Sequence, residues 1–212
     1  MVTTGADGAA DAEEAPGAES SERLVALSDG IYAIAMTLLV LDVSIPDGLD
    51  EAGFRRALRQ EWPSLGAYAL SFAVLAALWR DQRRILHHVR RADTLVVRLT
   101  LAGLGTAALL PFPTALLSEY GAREPMAVAT YAVAIALISL LHLAVFVRVR
   151  RRPRLRVRPI PDRAARAVVT ELGAVVLVCA ASVVLAFAVS PLAGLVTWLL
   201  SIPLKHAIRR IG

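Results

Sequence analysis

The sequence predicts an all-α protein that crosses a membrane six times, and three observations predict it. Of 212 residues, 57% are hydrophobic and 19% charged, with a mean hydropathy of +0.59, too apolar a mixture for a soluble domain of this length. The apolar residues are gathered into long runs bounded by charge or proline. The basic residues behind the net charge of +5 lie in alternate gaps between those runs, a pattern of membrane orientation rather than of nucleic-acid binding. At about 20 apolar residues per crossing, the chain has room for about six or seven spans and no large soluble catalytic module.

Taken in order, residues 1–22 carry Asp7, Asp11, Glu13, Glu14, Glu19 and Glu22 among Gly, Ala and Ser, with no basic residue before Arg23. Such a stretch cannot bury enough apolar surface to order itself and is expected to be a disordered acidic tail. It lacks the basic start of a secretory signal, so the first apolar run is expected to stay as a membrane helix. The second domain is then residues 23–212, with spans at roughly Leu24 to Ser44, Ser64 to Trp79 and somewhat beyond, Leu95 to Leu117, Met126 to Val147, Ala167 to Ser190, and Pro191 to about Ile208. Arg80, Asp81, Arg83 and Arg84 interrupt the second run, yet the helical pattern continues through Ile85 and Leu86 and is expected to project from the bilayer. Pro191 separates the last two spans, because proline disfavours helix at the residue before it.

Loop charge orients the bundle. Nine arginines between Arg148 and Arg166 face Asp162 alone, and Arg80, Arg83, Arg84, Arg90 and Arg91 outnumber Asp81 and Asp93. The opposite loops are mixed or acidic, so both termini are expected in the cytoplasm of a cell-membrane protein. The polybasic loop 148–166 contains the alternating stretch Arg148 to Arg158, expected to lie against anionic lipid headgroups, each arginine contributing about 1 kcal/mol; nucleic acid is not an expected partner.

Residues able to do chemistry are sparse. His87, His88, His142 and His206 have no metal-ligand spacing, and there is no phosphate loop or nucleophile elbow. His87 and His88 fall at a helix C-terminus, where cationic side chains are favoured, and His142 is expected to hydrogen-bond between helices. Cys179, the single cysteine, reads as a small packing residue. No cofactor or metal site is expected. Ionisable groups at membrane depth are costly: Asp42, Arg98 and Glu171 lie near span ends where snorkelling suffices, whereas Asp29 stands in the segment Arg23 to Gly30 directly before the apolar run Ile31 to Leu41. Arg23 and Asp29 are six residues apart, too far for an i,i+4 pair, so both need partners on another helix.

Arg23-xxx-Leu27-Ser28-Asp29-Gly30, followed by Ile-Tyr-Ala-Ile-Ala-Met-Thr-Leu-Leu-Val-Leu-Asp-Val, resembles the RxxxFSD signature at the start of the first helix in the transmembrane protein 175 family of potassium channels. Trp79, Pro111-Phe112-Pro113-Thr114 and Glu119-Tyr120 also resemble family features; Leu27 in place of phenylalanine is a departure that touches packing and removes no polar group. The resemblance implies a homotetramer conducting potassium through a pore lined by the first helix. It places an apolar constriction at Ile34, a threonine layer associated with selectivity, and K+ transit, at Thr37, and a second apolar ring at Leu41. Arg23, Ser28 and Asp29 would form a polar network with neighbouring helices that includes Trp79.

The spacing agrees: Ile34, Thr37 and Leu41 recur at i, i+3 and i+7 on one helical face, with Gly30 on the same stripe, and apolar rings can gate by dewetting. The same spacing also suits ordinary helix packing. The expected function is passive potassium conduction, with no enzyme activity. The alternatives are a secondary transporter, which predicts inverted repeats and broken helices, a non-conducting membrane scaffold, or an intramembrane enzyme using Glu171 with His142.

Overall fold

The structure, a computed structural model, describes residues 15–42 and 44–197. Helix α1 spans Ala15–Leu38 and tightens into a 3-10 turn at Leu39–Asp42. It is followed by α2 (Glu51–Gln60), α3 (Trp62–Leu86), α4 (Thr94–Ala108), α5 (Pro111–Tyr120), α6 (Pro125–Arg151) and α7 (Asp162–Ala188), and residues 191–197 are again helical. Among the described residues, five stretches are long and apolar enough to cross a membrane: Ser21–Leu41, Trp62–Leu86, Thr94–Tyr120, Pro125–Arg151 and Asp162–Ala188. The expected sixth, Pro191 to about Ile208, has only its first two turns among the described residues.

Several expected boundaries move for physical reasons. The tail expected over residues 1–22 is helical from Ala15. Pro16 is compatible with a first helical turn, where its missing N–H costs nothing, and Ser21 is buried, its Oγ donating to the Val89 carbonyl at 3.1 Å. The second span runs on to Leu86, as its continuing pattern required. The third divides: Leu110 N–H reaches back only to Ala107 and Phe112 N–H to Leu109, because Pro111 and Pro113 supply no N–H to a continuous ladder. α2 was not foreseen. Asp50 caps it, accepting from Gly53 N–H at 2.7 Å, and a capping carboxylate three residues ahead of its donor is the local cue that announces such a helix.

Two apolar cores hold the bundle. One packs Tyr32 and Ala35 of α1 and Leu39 of the following 3-10 turn against Leu75 and Leu78 of α3, Leu104 and Ala107 of α4, Leu117 of α5, and Tyr131, Ile135 and Ile138 of α6. Cys179 of α7 is buried there, as expected of a packing residue. The other lies at the basic end, where Leu24, Ile85, Val96, Phe146, Val149 and Leu172 meet. At that end the chain following α6 folds back on the α3–α4 connection: Arg90 N–H donates to the Leu155 carbonyl and Val157 N–H to that of His88. This strap fixes the basic ends of four helices to one another.

Candidate site on the first helix

Alternation along α1 divides it into a buried back and an open front. Leu24, Ser28, Tyr32, Ala35 and Leu39 are buried, while Ala26, Leu27, Gly30, Ala33, Ile34 and Thr37 are exposed. Both sets recur at three and four residues, so they are opposite faces of one helix. Ile34 is 60% and Leu41 70% exposed in the single chain, a large apolar area for one helix face to leave uncovered. The face contains the three residues expected to line a pore. Leu41, however, lies in the 3-10 turn rather than in the α-helix, so it is rotated from the strict i+7 position by the tighter winding.

Thr37 is anchored to its own helix, as Thr106, Thr130 and Thr170 are to theirs. Its hydroxyl donates to the Ile34 carbonyl at 2.8 Å. With the proton committed to the helix, the oxygen lone pairs are turned outward, the arrangement a hydroxyl needs to accept from water or face a cation.

Behind this face, polar contacts bind α1 to its neighbours. Trp79 Nε1–H of α3 donates to Asp29 Oδ1 at 2.7 Å, which supplies Asp29 with the partner on another helix that its position demands. The Arg83 guanidinium sits 5.3 Å from the centre of the Trp79 ring, a cation–π distance that holds the indole in place. Ser28 turns inward and donates to Leu24 of its own helix at 2.7 Å, and Arg23 is exposed with no polar partner among the described residues. The expected four-residue network is thus a Trp79–Asp29 bond, with Ser28 and Arg23 outside it in the single chain.

Other buried bonds carry no motif and were not foreseen. Tyr32 Oη of α1 lies 3.4 Å from His142 Nε2 of α6, the interhelical role expected of His142. Ser71 Oγ is 2.9 Å from Tyr131 Oη and accepts from Thr114 Oγ1 at 2.9 Å, joining α3, α5 and α6. Glu171, expected near a headgroup, instead meets Arg84 of α3 at 3.0 Å. Glu171 and His142, the pair an intramembrane enzyme would require, are therefore engaged with different partners. Arg98 is exposed near the start of α4, as snorkelling requires. His87 caps the end of α3, and His88 Nδ1–H donates to the Arg84 carbonyl at 2.8 Å. No cluster of potential metal ligands occurs among the described residues.

Outside the spans, Asp93 caps α4 by accepting from Val96 N–H at 2.9 Å. It also receives Arg148 Nε and Nη2 at 3.1 and 2.6 Å. Partial desolvation pushes its pKa up, but the Val96 bond, Arg148 and the nearby Arg152 outweigh it and hold the carboxyl below its usual range.

Residues 23–111 match the sequence family described as endosomal/lysosomal potassium channel TMEM175. A potassium channel of Streptomyces collinus is 41% identical over 100 residues, covering 47% of this chain and 48% of that one. The endosomal/lysosomal proton channel TMEM175 of Bos taurus is 33% identical over 138 residues, 60% of this chain and 29% of that protein. The matched stretches thus span half or less of these curated relatives. Among solved structures, the crystal structure of a lysosomal potassium-selective channel TMEM175 homolog from Chamaesiphon minutus superposes with a TM-score of 0.76 at 27% identity, covering 90% of this chain and 98% of that one.

Proposed function

We infer that this chain, whose residues 23–111 match the TMEM175 family of channels, is one subunit of a homotetrameric channel that conducts potassium passively across the cell membrane. The family is one of ion channels, not enzymes. The observation that carries the reading is the open face of α1. A helix whose back is packed and tied to its neighbours, and whose front presents Ile34, Thr37 and Leu41 without a partner in the subunit, has the side chains a pore between subunits needs. Four copies around an axis would place an apolar constriction at Ile34, hydroxyl oxygens at Thr37 and a second apolar ring at Leu41. The permeant ion would shed part of its hydration shell at Ile34 and find acceptor oxygens at Thr37. Asp29 and Trp79 would hold the pore helix at a fixed rotation while ions pass, and Arg23 and Ser28 would complete the network on assembly. Both termini would face the cytoplasm, placing the arginines of loop 148–166 beside anionic headgroups.

Purified protein reconstituted in liposomes under a potassium gradient tests this directly. Potassium flux is expected, and its absence from folded tetramers would overturn the reading. A parallel measurement under a proton gradient distinguishes the permeant ions named for the bacterial and bovine relatives. Ile34→Ala should alter conductance by widening the constriction, and Thr37→Ala should weaken discrimination of potassium over sodium. If neither changes the currents, the constriction lies elsewhere and the channel itself stands.

A further inference from the structure

At the basic end of the bundle, a cleft of about 510 Å³ opens between the start of α4 and the end of α6, lined by Asp93, Arg148, Arg151, Arg152, Arg154 and Leu155. Its wall holds four arginines against one aspartate. The two innermost charges are spent on each other, since Arg148 meets Asp93 with two hydrogen bonds. Arg151, Arg152 and Arg154 remain, all three exposed and none in a hydrogen bond or ion pair with a carboxylate among the described residues. Pro153 opens the 3-10 turn Pro153–Leu155 that sets Arg154 beside the other two. Three arginines lining one concavity concentrate like charge that an anion would relieve, and planar N–H forks suit the oxygens of a phosphate.

We propose that this cleft is a binding site for a phosphate-bearing anion, with the phosphodiester of an anionic lipid headgroup as its occupant. The position favours that source. α4 enters the apolar layer at Thr94 and α6 leaves it near Arg151, so the cleft opens at the depth of the headgroups. The consequence reaches the first helix. Residues 155 and 157 of the strap are bonded to residues 88 and 90, and the neighbouring Val89 carbonyl accepts from Ser21 of α1. An anion that quiets the repulsion within Arg151–Arg154 therefore secures the turn, the strap and the first turns of α1 together. This site rests on the membrane orientation proposed above for loop 148–166, and does not depend on whether the protein conducts.

The test follows thermal unfolding of the full-length protein in neutral detergent as short-chain phosphatidylglycerol, short-chain phosphatidylcholine or inorganic phosphate is added. Phosphatidylglycerol is expected to raise the midpoint by several degrees and phosphatidylcholine to leave it unchanged. The rise should vanish in the triple variant Arg151→Gln, Arg152→Gln, Arg154→Gln. It should persist in Arg55→Gln, Arg56→Gln, Arg59→Gln, which removes the same charge from α2. An equal, cleft-dependent rise with inorganic phosphate supports the site and assigns it to soluble phosphate. A rise of the same size in both triple variants or with phosphatidylcholine, or no rise with either phosphatidylglycerol or inorganic phosphate, overturns the proposal. Should the cleft variant not fold, the wild-type rise must collapse at about 0.5 M salt, where exposed charges are screened within a few ångströms; a rise that survives also overturns it.

Discussion

Asp29 shows how one carboxylate is made tolerable at the edge of an apolar layer. It is half-buried, it receives a short bond from the Trp79 indole, and the indole is itself held under Arg83. Removing the donor while keeping the ring leaves that oxygen unpaired. Trp79→Phe is therefore expected to lower stability by about 1–2 kcal/mol, read as a fall in the unfolding midpoint. Asp29→Asn keeps an acceptor oxygen for the same N–H and should cost less; an equal or larger loss would contradict the hydrogen-bond account. Asp93 gives a pH signature instead. Its folded pKa lies below the ordinary carboxylate value, owing to Val96, Arg148 and Arg152 acting against partial desolvation, so the unfolded chain binds the proton more readily. The pair's contribution is then complete above about pH 4–5 and lost as pH falls through the folded pKa. The midpoint of the wild type should drop more steeply below that range than that of Arg148→Gln, and parallel curves would remove Arg148 from the explanation.

At the scale of the elements, what could be read from the chain was whatever a local pattern carries. Apolar runs bounded by arginine or proline located the five described spans, and Ile85 and Leu86 announced the extension of α3. The break between α4 and α5 was half visible in Pro111 and Pro113, which mark an interruption without saying on which side the helix resumes. α2 follows no apolar run, and only its Asp50 cap marks it in the sequence. The Trp79–Asp29 bond was reachable through a motif, whereas Tyr32 and His142, 110 residues apart, depend on how two helices are rotated against each other, which no local spacing encodes. The contact between α7 and residues 191–197 is of that second kind. Ser182 Oγ donates to the Gly194 carbonyl at 2.9 Å, and a Cβ at Gly194 would come within 2.8 Å of the Ser182 carbonyl and 3.0 Å of Ala186 Cβ. Gly194→Val should force the two helices apart and cost about 1–3 kcal/mol. Gly66→Ala, where a Cβ meets nothing within 4 Å, should instead gain up to about 1 kcal/mol from helix propensity. Comparable losses in both would mean that neither close approach nor propensity decides the outcome.

For the whole molecule, the decisive asymmetry is between what a single subunit packs and what it leaves open. Tyr32 and Leu39 on the back of α1 are fully buried, while Ile34 and Leu41 on its front are mostly exposed. Gly30 and Thr37 lie on the same open stripe, which in the proposed tetramer would face the common axis. A narrow axis between subunits gains from both, through close approach at the glycine and acceptor oxygens at the threonine. Gly30 separates the two levels of organisation experimentally. A Cβ there meets nothing within 4 Å inside the subunit, so Gly30→Phe should leave the subunit's fold intact, with an unfolding midpoint at or slightly above that of the wild type. Placed four times around a common axis, the same ring would fill the pore or prevent closure of the tetramer. The expected result is loss of potassium flux at unchanged subunit stability, with elution volume distinguishing a blocked tetramer from separated subunits. Wild-type flux through a folded, tetrameric Gly30→Phe channel would move the conduction path off this face of α1.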